Sequence, residues 1–126
     1  MLENINVLIV GVGNGLSSSL AKLMNKEGMS VSLATRNPDK LDKLKDEIDA
    51  RVFKCDASSP KDVKILFSDL DKIGKEPNFV IYNPSTRVPG PIDELDIEST
   101  RYAINVTCFG AFLVAQQSVI RMKKKG

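Results

Sequence analysis

Gly11, Gly13 and Gly15 stand at alternate positions between an apolar run, Asn6–Val10, and an amphipathic one, Leu16–Glu27. Glycine reaches φ > 0 without strain and lets another group approach the main chain closely. A helix that starts at such a turn also offers free N–H groups and the positive end of its dipole to an anion. With Asn14 and Leu16 at the helix mouth, the turn has the makings of a cradle for a pyrophosphate. The alternative is a tight strand-to-helix turn that holds nothing, and a glycine pair alone would point there. Strand, glycines and amphipathic helix together favour a nucleotide.

A second chemical feature lies in the stretch LATRNPDKL, where Thr35 and Arg36 follow a strand-like segment with no acid beside them. An acidic side chain at this point would hold the ribose hydroxyls of NAD and repel a 2′-phosphate. A guanidinium instead grips phosphate through paired charge-assisted hydrogen bonds. Arg36, with Thr35 as a hydroxyl donor, is therefore the candidate for the 2′-phosphate, and NADP is expected over NAD. A solvated arginine in a turn is the other reading. The chain has no histidine, which excludes a histidine-based catalyst or metal site within it. Cys55 and Cys108 lie far apart without metal-ligand spacing, so no metal is expected and both thiols are expected to be free.

These groups need a frame. Short apolar segments at Asn6–Val10, Ser30–Ala34, Arg51–Lys54 and Asn78–Tyr82 alternate with helical patterns at Leu16–Glu27, Pro38–Asp49 and Pro60–Ile73. Asn37 is the expected cap of the second helix and Ser59 precedes the third. Asn83–Ile92 carries three prolines and a glycine and reads as a loop. From about Ile97 to Lys124 the chain reads as one long helix, with Asp96 or Ser99 near its start and a lysine run at its end that suits the negative end of the dipole. Alternating strands and helices imply an α/β fold with right-handed crossovers and a parallel sheet in the order 3-2-1-4. In such a sheet, ligands bind beyond the carboxyl ends of the strands where the winding reverses, which is where the glycine turn falls.

The 126 residues, 42% apolar and 27% charged, fit one domain spanning 1–126. A net charge of +2 gives no reason to expect nucleic acid or a membrane surface as partner. The uninterrupted apolar runs are too short to span a bilayer and the first residues lack a leader pattern, so a cytoplasmic location is expected.

Two glycine spacings compete. G-x-G-x-x-G fits Gly11 and Gly13 but meets Leu16 where the third glycine belongs. G-x-x-x-G-x-G fits Gly11 and Gly15, with Ser17 in the last place. The second spacing resembles the first turn of the short-chain dehydrogenase/reductase family, and three further landmarks follow in order. Cys55-Asp56-Ala57-Ser58 resembles the family's Asp-containing turn beside the adenine, and Phe79–Ser85 sits where the family has a strand ending in Asn-Asn-Ala-Gly. Ile104–Gln116 resembles the long helix that carries the family's active-site asparagine, here Asn105.

The resemblance implies a Rossmann-like α/β/α fold and hydride transfer between a nicotinamide cofactor and a small carbonyl or alcohol substrate. It implies cofactor contacts at the glycine turn, Asp56, Ala57 and Asn83, and a catalytic role for Asn105 in holding a relay water. Departures are visible. Ser17 replaces a glycine, which should loosen the contact between helix and strand, and of Tyr82-Asn83-Pro84-Ser85 only Asn83 matches. The family's catalytic tyrosine has a lysine four residues on, whereas Tyr82 is followed there by Thr86 and Tyr102 by Val106. The chain is accordingly expected to be the first half of such an enzyme, inactive alone, with an uncovered sheet edge and helix face that favour self-association. A non-catalytic nucleotide-binding or regulatory module is the alternative. The turn also resembles that of methyltransferases, but those want an acid near Thr35.

Overall fold

The first strand decides the architecture because it is apolar on both sides. In a computed structural model describing residues 2–126, β1 (Asn6–Val10) lies inside a four-stranded parallel sheet, flanked by β2 (Ser30–Thr35) and β4 (Phe79–Tyr82). The strand β3 (Arg51–Lys54) pairs with the far side of β2, which gives the expected order β3-β2-β1-β4. Val7 aligns with Val31 and Phe79, and Val10 with Ala34 and Tyr82.

The period-two alternation of a strand then sorts β1 into two cores. Leu8 and Val10 pack with Leu66, Phe67 and Leu70 of α3 (Pro60–Lys72) and with Val114 of α5 (Gly110–Lys124). Val7 and Ile9 pack on the other face with Ala21 of α1 (Leu16–Lys26) and with Leu44 and Ile48 of α2 (Asp42–Ile48). Each large side chain fully withdrawn from water contributes about 1.5–3 kcal/mol.

The helix caps follow local chemistry, with one correction. Ser59 accepts the Asp62 N–H at 3.2 Å and caps as expected, and Asp96 accepts the Ser99 N–H at 2.8 Å, so of the two candidates Asp96 is the cap. Asn37 caps nothing through its side chain. Its own N–H donates to Thr35 Oγ1 at 3.3 Å, and Pro38–Leu41 forms a tight turn of i→i+3 type before α2 begins at Asp42. That turn carries Leu41 into the core.

The long helix also departs from a single regular element. It runs as α4 (Ile97–Ile104), a wider π-helical turn (Asn105–Phe109) and α5. In the wide turn the Gly110 N–H bonds to Asn105 O, five residues back, so Val106 O does not receive it. The Tyr82 hydroxyl donates to Val106 O instead. The two segments approach so closely that a Cβ on Gly110 would lie against that hydroxyl and 2.7 Å from Ala57 O. At the far end, Arg121 grips Asp71 with two hydrogen bonds of 2.7 Å and lies 5.0 Å from the centre of the Phe67 ring, which clamps α5 onto α3. Ile97–Lys124, 28 residues long, is long and apolar enough to cross a membrane by length and composition alone, although no uninterrupted apolar run within it is long. Its Val106, Leu113 and Val114 are nevertheless buried in the fold.

Burial pushes the Tyr82 phenol up from 10.0 to about 12 and the Cys55 thiol up from 9.0 to about 12. Both groups ionise more readily in the unfolded chain. Their contribution to stability is therefore complete below pH 9.0 and is lost as pH rises towards about 12. Tyr82→Phe leaves Val106 O without its donor and is expected to cost about 1–3 kcal/mol in urea unfolding at neutral pH. The same variant should show a shallower alkaline decline than the wild type.

Candidate functional site

Because all four strands run the same way, their carboxyl ends open on one side, and the loops that follow them enclose a cavity of about 440 Å³. That is within the usual range for a small-molecule site. The glycine turn forms one wall through Gly11, Val12, Gly13 and Asn14. Thr35, Arg36, Asn37 and Lys40 come from the end of β2, and Cys55, Asp56 and Ala57 from the end of β3. Asn83 to Thr86 follow β4, and Val106 reaches in from the wide turn. Gly15 and Leu16 do not line the cavity: Gly15 sits at the cap of α1 and Leu16 points outward, 65% exposed. Asn105 is half-buried beside Val106 and likewise does not reach the cavity wall.

The glycines divide the work between them. Gly11 has φ +85°, and a Cβ there would stand 2.6 Å from Pro84 Cα and 2.7 Å from the Asn83 carbonyl carbon. Its bareness thus serves a crossing of two backbone segments. Gly13 and Gly15 have nothing within 4 Å of an added Cβ. Of the three, Gly13 is the one that both lines the cavity and leaves open space in front of the backbone.

Ser17 does not loosen the packing as its replacement of a glycine suggested. It is buried, its hydroxyl donates to Gly11 O at 2.8 Å, and it accepts from Asn83 Nδ2 at 3.0 Å. The Asn83 N–H also donates to Val10 O at 2.9 Å. One hydroxyl therefore ties the turn after β1 to the loop after β4.

Arg36 is held on the opposite rim. Its Nη1 donates to Tyr102 Oη at 2.7 Å, and its guanidinium carbon is 5.6 Å from the centre of the Tyr102 ring. Lys40 shares this rim, a second cation that sequence reading passed over although it stands four residues after Arg36. Asp56 is occupied locally, accepting from Ser58 N at 3.0 Å and Ser58 Oγ at 2.7 Å. Burial, aided by Asp62 and Asp56, keeps Cys55 a neutral thiol. Among the described residues no group of carboxylates and thiols is placed to hold a metal ion.

A parallel sheet in the order β3-β2-β1-β4 with its helices packed on both faces defines an α/β protein of the Rossmann-like class. The chain matches, over residues 11–126, a family model described as enoyl-(acyl carrier protein) reductase. It is 23% identical over 125 residues to dehydrogenase/reductase SDR family member 11 of Gallus gallus, covering 94% of this chain and 49% of that protein. Among solved structures, a short-chain type dehydrogenase/reductase from Mycobacterium marinum superposes with a TM-score of 0.91 at 22% identity, over 98% of this chain and 52% of that one. A metagenomic short-chain oxidoreductase in complex with NADP gives 0.92 at 18% identity, over 98% and 58%. The chain belongs to the short-chain dehydrogenase/reductase family, and it spans about half the length of these relatives.

Gly11→Ala is expected to destabilise the fold by at least about 1–2 kcal/mol from the backbone conformation alone, with the clash against Asn83–Pro84 added. Gly13→Ala should leave the thermal midpoint unchanged, and paired melting curves read both. Thiol labelling of the native protein should modify Cys108, which is exposed, and spare Cys55, while both react after denaturation.

Proposed function

We propose that the chain is the cofactor-binding half of an NADP-dependent oxidoreductase acting on a small carbonyl or alcohol substrate. The observation that carries the reading is the rim at the end of β2, where Arg36 and Lys40 face the cavity and no acid stands among Thr35, Arg36 and Asn37. Such a rim attracts a 2′-phosphate and lacks the carboxylate that would select ribose hydroxyls. The complex of a similar fold with NADP supports it further.

The residues present fit the group. Open space before Gly13 lets main-chain N–H groups of the turn approach a pyrophosphate, with Asn14, Gly15 and Leu16 leading into the N-terminus of α1. Asp56 and Ala57 would border the adenine, and Asn83, held by Ser17, would border the middle of the cofactor. Asn105 would hold a water near the reacting centre. When bound, the cofactor supplies the hydride.

Neither tyrosine of this chain has the lysine four residues on that the family's proton donor has. The half-buried Tyr82 already gives its proton to Val106 O, and Tyr102 stands at the Arg36 rim. That favours binding without turnover by these residues alone, the proton donor coming from elsewhere in a longer protein. The reading carries with it a cytoplasmic location and association between copies. Exposed apolar side chains on the long helix, among them Phe109, Phe112 and Ile120, support the latter.

Arg36→Ala is expected to weaken NADPH binding by about 1.5–3 kcal/mol, as for hydrogen bonds to a charged group, and to leave NADH unchanged. Calorimetric titration with both cofactors measures it, and equal losses for the two would exclude the assignment.

A further inference from the structure

We infer that Tyr102 is a positioning residue for Arg36 and so sets how strongly the cavity prefers a nucleotide phosphorylated on its adenosine ribose. The inference rests on the NADP reading above and adds to it a residue from a distant part of the chain.

Arginine loses considerable rotamer freedom when fixed, so an unheld guanidinium at an exposed rim binds phosphate less well than one already in place. Tyr102 supplies that hold from α4, 66 residues further on. Its own backbone is fixed by the cap of α4, where Asp96 accepts from Ser99 N at 2.8 Å and Thr100 Oγ1 donates to Asp96 O at 2.8 Å. The phenol accepts one N–H of Nη1, and the ring lies near the guanidinium on the side of α4. Nε and Nη2, the edge that makes two parallel bonds to a phosphate, remain available.

The chemistry of the partner matters as much as its position. Arg121 is paired with Asp71 and Arg101 with Glu98, so their charges are compensated. Among the described residues Arg36 has no carboxylate within ion-pair distance, and the neutral Tyr102 hydroxyl holds it instead. A carboxylate there would fix the side chain and cancel the charge that draws an anion. A phenol fixes it and leaves the charge in force, with Lys40 adding to it on the same rim.

The test uses the 126-residue chain labelled with ¹⁵N and titrated by NMR, which reads weak binding, with adenosine 2′,5′-bisphosphate and with 5′-AMP. The wild type should favour the bisphosphate, and Arg36→Ala should abolish that preference. Tyr102→Phe, which keeps the ring and loses the hydroxyl, should lower the preference about two- to tenfold, the worth of one hydrogen bond. Tyr102→Ala should lower it further. Affinity for 5′-AMP should stay constant in both Tyr102 variants, which also reports an intact fold, and Tyr102→Phe should have no effect in the Arg36→Ala background. If Arg36→Ala loses the preference while both Tyr102 variants keep it, the role of Tyr102 is overturned and the NADP reading stands. Tighter bisphosphate binding by a Tyr102 variant overturns it too, because Tyr102 would then be holding Arg36 away. If Arg36→Ala keeps the preference, or the wild type binds neither nucleotide, the NADP reading falls and this inference with it.

Discussion

Two backbone segments cross in near contact at Gly11, and the shape of the site depends on that crossing. The chain leaving β1 passes against Asn83 and Pro84 so closely that no side chain fits between them. Hydrogen bonds on either side keep the segments there: Asn83 N–H reaches Val10 O, and the Ser17 hydroxyl joins Gly11 O to the Asn83 amide. The glycine turn is thereby braced from behind, and its outer surface, around Gly13, is left facing the cavity. A loop positioned this way presents backbone N–H groups at a fixed place without any side chain to do so.

A comparable constraint governs the long helix. A regular helix would direct the Gly110 N–H to Val106 O; the wide turn sends it to Asn105 O and the Tyr82 hydroxyl takes over. Ala57, Tyr82 and Gly110 come together at this point, from the loop after β3, the end of β4 and the start of α5. The bulge therefore fixes where Val106 enters the cavity and ties the ends of β3 and β4 to the long helix in one wall. Tyr82, which stands where the resemblance expects an asparagine, meets the helix at this bulge.

Much of this was legible in the sequence, for physical reasons that differ by element. The parallel order followed from alternation of strands and amphipathic helices, and the two-sided burial of β1 from its unbroken apolar run. Ser59 announced its cap because it stands directly before a helical pattern, while Asp96 and Ser99 were both candidates and only the structure assigns the cap to Asp96. Asn37 misled because a tight turn, Pro38–Leu41, comes between it and the helix, and its side chain accepts no N–H there. The wide turn was hidden, since Tyr82 and Val106 meet only in three dimensions. Ser17 was judged by volume, whereas its hydroxyl forms two bonds that no local pattern could reveal. Among the residues singled out for the cofactor, Gly11, Gly13, Asn14, Thr35, Arg36, Asp56, Ala57 and Asn83 come together at the cavity, and Gly15, Leu16 and Asn105 lie just off it. The side chain of Tyr102 carried no signal, because its partner lies on a strand end distant in sequence.

The central place of β1 has a bearing on how the protein comes into being. Of the four strands it comes first in chain order and is the one most completely enclosed, with both faces buried and both edges paired. Its second neighbour, β4, is anchored to it by Asn6 and Asn78, 72 residues apart. The apolar run of β1 must therefore wait with one edge open until β4 has been made, paired at best with β2. Long-range parallel pairing of this kind is slow and leaves apolar surface exposed meanwhile. The newborn chain is thus most exposed to faulty pairing at the same segment that later becomes its most sheltered.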